Sequence, residues 1–116
     1  MTDTPMREPT FLVLTALAAG PQHGYAVIED VATMTGGRVK LRAGTLYAAL
    51  DRLRGDGLIE VDREEIVQSR LRRYYRLSAR GAQALATESV RLREQAAIAE
   101  KRLRARGVSG AAAPVT

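Results

Sequence analysis

Few side chains in this sequence can do covalent or acid–base chemistry, and their spacing limits what they can do. The chain has no cysteine, which excludes disulfides, thiolate metal sites and a cysteine nucleophile together. His23 is the single histidine. With no thiolate or carboxylate pattern around it, one imidazole cannot hold a metal ion, so a packing or hydrogen-bonding role is the better reading. Glu29-Asp30 and Glu64-Glu65 are adjacent carboxylates. Neighbours on a helix or strand point in different directions, so neither pair makes an acid/base couple. Ser69, Ser78, Ser89 and Ser109 lie in no nucleophile motif, and no glycine-rich phosphate loop is present. The expectation is a protein that is not an enzyme and that takes no cofactor and no metal.

What remains is cation chemistry. The formal net charge is +5, and it is unevenly placed. Residues 38–80 hold eleven Lys or Arg against six Asp or Glu, a net of +5 that equals the excess of the whole chain. A basic block of this kind points to a polyanionic partner, nucleic acid before membrane, against the plainer alternative of a solvated basic surface. The longest apolar run, "FLVLTALAA", is roughly half the length of a membrane-spanning helix. The preceding "MTDTPMREP" lacks the positive start of a signal peptide. No membrane role and a cytoplasmic location are expected.

The elements that must position these cations follow from hydrophobic periodicity. Residues 1–8 read as a flexible tail. A first helix over 10–19 is apolar nearly all round, and Gly20-Pro21 stops it. A second should start near His23-Gly24 and run to about Thr35, with Ile28, Val31, Ala32 and Thr35 on one face. The third contains "AGTLYAALDRLRGDG", where Leu46, Leu50 and Leu53 are spaced by four and then three. Its other face keeps Thr45, Ala48, Ala49 and Arg52, and Gly57 can take the left-handed conformation that closes it. Arg42 stands where a Ser or Thr cap is expected.

Alternation then predicts two strands, one over 58–63 with Ile59 and Val61 on a face, and one over 72–78 with Tyr75 and Leu77 on a face. Between them "EEIVQSRL" lacks the Gly or Asn of a tight turn, which predicts a longer, mobile loop. Ser78 caps a last helix over 79–106, in which Ala82, Leu85, Ser89, Leu92, Ala96, Ala99 and Leu103 trace a coiled-coil seam. Residues 107–116 are a disordered tail by composition.

Three helices followed by a two-stranded hairpin is the order of a winged helix-turn-helix, in which the third helix enters the DNA major groove and the hairpin is the wing. The fold class is therefore mainly α with a small β-hairpin. A winged helix-turn-helix over 9–78 is followed by a long C-terminal dimerisation helix. The leucine stripe anchors the third helix and leaves Thr45, Tyr47 and Arg52 to meet base edges or backbone. Lys40, Arg42, Arg70, Arg72 and Arg73 would sit near phosphates. Tyr25 reads first as a core residue with its hydroxyl at the rim, and second as a phosphate donor. A winged-helix module used only for protein contacts is the alternative. A single-strand binder is disfavoured, since Tyr74 alone is a poor stacking platform.

The segments "HGYAVIEDV", "GTLYAALDRL", "DGLIEV" and "RRYYRLSARG", in this order and spacing over residues 9–81, resemble the PadR-like transcriptional regulators. The last helix resembles that of the family's short-form members, where it mediates dimerisation. The resemblance implies a homodimeric repressor of double-stranded operator DNA, often released by a small-molecule effector. Leu85, Leu92, Ala96, Ala99 and Leu103 would form the dimer seam. Because small residues there contribute little burial, Phe11 and Leu14 are expected to help cover the partner.

Overall fold

The computed structural model describes residues 5–108. In chain order the elements are α1 (Glu8–Ala18), β1 (Gln22–His23), α2 (Gly24–Met34), α3 (Ala43–Gly55), β2 (Ile59–Val67), β3 (Arg70–Leu77) and α4 (Ala79–Ala105). The chain divides into two compact units, residues 1–85 and 86–116. Of the expected tails, residues 1–4 and 109–116 lie outside the described residues. Met6 packs against the core and Glu8 already belongs to α1.

The core of the first unit takes most of the circumference of α1 and one face each of α2 and α3. α1 contributes Leu12, Val13, Leu14, Ala16 and Leu17, α2 contributes Val27 and Val31, and α3 contributes Leu46, Leu50 and Leu53, with Ile59 and Tyr75 closing it from the sheet. The stripe on α3 is the one its leucine spacing predicts. Ala49, expected on the outer face, is buried beside it, so the free face of α3 is narrower than anticipated. The end of α3 is a Schellman motif. Gly57 has φ of +78°, its N–H donates to the Arg54 carbonyl, and the Leu58 N–H donates to Leu53 at 3.0 Å. This reversal sends the chain directly into β2.

The wing corrects one expectation. β2 and β3 pair from Ile59↔Leu77 out to Val67↔Arg70, with an irregularity between Val61 and Arg63. The connection is two residues, Gln68 and Ser69, at φ of +52° and +66°. Two central residues at positive φ are the signature of a type I′ turn, whose twist matches the strands it joins. The sequence concealed it because neither residue is Gly, Asn or Asp. An L side chain in this region costs about 1 kcal/mol, so Ser69→Gly is expected to raise stability by about 0.5–1 kcal/mol. An unchanged thermal midpoint would show that the turn carries no such strain.

A third strand, β1, was not foreseen at all. It pairs antiparallel with β3 through Gln22↔Tyr75 and His23↔Tyr74, giving the sheet order β1-β3-β2. Two residues carry no periodicity to read. Ser78 caps α4 as expected. Its Oγ accepts the Gly81 N–H at 2.9 Å and donates to the Gly57 carbonyl at 2.6 Å, while its own N–H donates to the Leu58 carbonyl. The first turns of α4 thus belong to the domain, and Leu85 packs against its core.

The second unit contains the rest of α4. Here Leu92, Ala96, Ala99 and Leu103 lie on one stripe at spacings of four, three and four, and all four are exposed.

Candidate nucleic-acid interface

The free face of α3 is set by how its other side is held. Thr45, Tyr47, Ala48 and Arg52 are exposed. Tyr47 is fixed in place by α2: its hydroxyl lies over Gly24, where a Cβ would overlap it. Burial, with Tyr25 and Tyr75 nearby, pushes the Tyr47 hydroxyl above its ordinary pKa, so it remains a hydrogen-bond donor at neutral pH. Tyr25 is 63% exposed, which overturns its assignment to the core.

The start of α3 is open. Arg42 occupies the N-cap position in an extended conformation and makes no side-chain cap bond. The first N–H groups of a helix have no intrahelical acceptor and carry the positive end of its dipole. With exposed Lys40 and Arg42 next to them and exposed Gly44 on the first turn, these groups form a place suited to a phosphate oxygen.

An open groove of about 710 Å³ separates α3 from the wing, lined among others by Tyr25, Tyr47, Asp51, Arg70, Arg72 and Arg73. It gathers one α3 residue and three wing arginines that the sequence had singled out. Lys40, Arg42 and Thr45 do not line it. Arg52 is turned elsewhere, donating to Thr10 Oγ1 on α1 at 3.2 Å.

Reading the sequence missed a ring and cation cluster on the sheet, whose His23 also lines the groove. Arg63 stacks on the Tyr74 ring at 3.8 Å, and His23 meets the same ring edge-on at 5.3 Å between centroids. His23 also caps α2, its Nδ1 accepting the Ala26 N–H at 3.3 Å. Burial first, then the Arg72 charge, holds His23 below the ordinary histidine range, which keeps Nδ1 free to accept. The cap could be inferred from a histidine preceding a helix; the ring cluster depends on the β1–β3 pairing and has no local signal.

Of the residues expected at a dimer contact, Phe11 and Leu85 are half-buried against the core, and Leu92, Ala96, Ala99 and Leu103 are exposed. Leu14 is 0% exposed within its own domain, so it offers no surface to a partner; that expectation is corrected. The all-round apolar character of α1 signalled burial, and here the domain's own core takes it. Among the described residues no cluster of three or more His, Cys, Asp or Glu could hold a metal ion, and no helix is long and apolar enough to cross a membrane.

The fold and these sequence segments have counterparts. A family model described as the transcriptional regulator PadR-like family matches residues 13–87. A search of curated proteins found no match. Similar solved structures include a transcriptional regulator from Clostridium thermocellum, at 22% identity and a TM-score of 0.69, covering 79% of this chain and 89% of that one. A PadR family regulator from Eggerthella lenta has 26% identity and a TM-score of 0.68, with 82% and 83% covered. Bacillus subtilis PadR in complex with operator DNA has 25% identity and a TM-score of 0.63, and the match covers 72% of this chain and 47% of that one. With a family match over most of its length and the three helices and wing to accompany it, this chain belongs to the PadR-like family of transcriptional regulators.

Proposed function

We propose that this protein is a sequence-specific DNA-binding repressor that acts in the cytoplasm as a homodimer on a near-palindromic operator. The observation that carries the reading is the groove between α3 and the wing, with a tyrosine donor on one wall and arginines on the other. The solved complex of Bacillus subtilis PadR with operator DNA supports it. In this reading α3 enters the major groove, Thr45 and Tyr47 meet base edges or backbone, and Lys40, Arg42, Arg70 and Arg72 contact phosphates. Arg52 donates one N–H to Thr10 on α1 and keeps its other donors for base edges or backbone. The exposed stripe of α4 joins two copies. A small-molecule effector releases the operator only by favouring one spacing of the two reading helices over another.

The test is binding to the duplex upstream of its own gene against a scrambled duplex of equal length. The parent should prefer the first, and equal affinity for both would refute sequence-specific recognition. Thr45 is exposed, so Thr45→Ala should leave stability unchanged and lower specific affinity by about 5- to 100-fold, the worth of one base contact. Arg72→Ala should weaken both duplexes alike and make the salt slope shallower by about one unit.

A further inference from the structure

The two strands of the wing divide its charge between them. β2 carries Glu60, Asp62, Glu64 and Glu65 with Arg63, whereas β3 carries Arg70, Arg72, Arg73 and Arg76 and no carboxylate. Register then decides which arginine is held. Glu64 stands opposite Arg73, and the two close an ion pair at 2.8 Å. Glu60 stands opposite Arg76 and pairs with it at 2.8 Å. Arg72 stands opposite Glu65, but that carboxylate is taken by Arg63 at 3.0 Å. Arg70 stands opposite Val67. Among the described residues, neither Arg70 nor Arg72 forms an ion pair. Of the three arginines on the groove, Arg73 alone is held by a carboxylate.

On the reading that this groove takes DNA, we infer that Glu64 is a positioning residue that competes with phosphate for Arg73 and thereby sets the strength and salt dependence of binding. The pair occupies only the Arg73 Nε, so its other N–H groups can still reach a phosphate, but the full charge of Arg73 is available to that phosphate only when Glu64 lets go. The phosphate then releases a condensed cation, while the stranded carboxylate attracts one back from solution. The two nearly cancel, so Arg73 adds little net counterion release although it faces the duplex. Arg70 and Arg72 form no ion pair, although the Glu65 carboxylate feels the Arg72 charge, so both count more fully than Arg73. The β2 carboxylates thus act as a built-in rival to the polyanion, and the hairpin register selects which cation they restrain.

The experiment measures affinity for a duplex of arbitrary sequence across a salt series, which needs no knowledge of the operator. Glu64 and Arg73 are both substantially exposed, so the fold does not depend on their pairing. Glu64→Gln should bind about two- to fivefold tighter, the range an exposed pair is worth, with a salt slope steeper by about one unit. Arg73→Ala should leave the slope near that of the parent, and in that background Glu64→Gln should change nothing. Glu60→Gln, whose partner does not line the groove, should match the parent. A parent that binds duplex with Glu64→Gln indistinguishable from it would overturn the inference alone. So would an equal gain from Glu64→Gln with or without Arg73, since that is a general charge effect. A parent that binds no duplex would instead refute the DNA-binding reading, and this inference with it.

Discussion

If two copies join through α4 as proposed, replacing Leu92 and Leu103 together by lysine should give a monomer and lower the affinity for DNA carrying two half-sites by about 10²- to 10⁴-fold. Both leucines are exposed on the α4 stripe, so neither substitution removes anything from the domain core. Between them lie Ala96 and Ala99, whose small side chains let a second backbone approach but bury little area. In the proposed dimer the two leucines would supply most of the apolar contact of this stripe, and four lysines facing one another across a seam would repel. Linking two half-site contacts raises avidity by about two to four orders of magnitude without new chemistry, and a monomer forfeits that gain. Binding to a single half-site should be unchanged. A double variant that still sediments as a dimer would place the interface elsewhere. Substitution is a cleaner probe than truncation after Ser78, because the Ser78–Gly81 cap and Leu85 belong to the domain itself.

Gly81→Ala should destabilise the domain by about 3 kcal/mol or more, the largest effect expected of any single methyl group in the chain. A Cβ there would overlap the Leu58 carbonyl oxygen and crowd the carbonyl carbon and Leu77 Cδ1. The main obstacle is backbone, which no rotamer change can clear. That carbonyl also accepts the Ser78 N–H, so pushing α4 away breaks the cap at the same time. Shortening Leu77 should not restore stability. Gly24 makes an instructive contrast, since the atom over it is the far end of the Tyr47 side chain. Gly24→Ala should accordingly be rescued by Tyr47→Ala. Denaturant midpoints of the four variants check this, and full rescue of Gly81→Ala by a change at Leu77 would contradict the backbone argument.

Much of this architecture was legible in the sequence because it rests on local periodicity. Leu46, Leu50 and Leu53 share one helical face whatever surrounds them, and Ser78 before a helical run caps it for a reason that acts within one turn. The errors share a different origin. The Gln68-Ser69 turn is enforced by the pairing of its strands against the preference of its own residues, so turn chemistry gave no warning. Leu14 and Tyr25 were misplaced because an apolar or aromatic type does not say which of two surfaces will bury it. Whether Arg73 is free or held depends on cross-strand register, and register was unreadable while the connection looked like a long loop. For the interface, residue type identified the candidates, and tertiary pairing shows only that Arg52 and Arg73 have partners within the chain while Arg70 and Arg72 form no ion pair.

The short strand β1 also orders events during synthesis. Gln22 and His23 are made about fifty residues before Tyr74 and Tyr75, the residues that complete their pairing. At roughly 5–20 residues per second a ribosome needs about 3–10 s to cover that distance. Throughout this interval the apolar faces of α1 and α2 exist without Ile59 and Tyr75 to close the core over them. The nascent chain therefore presents sticky helices first and their lid last. The end of β3 and the first turns of α4, which carry the Ser78–Gly81 cap and Leu85, are the last parts of the domain to be made and the ones that complete it.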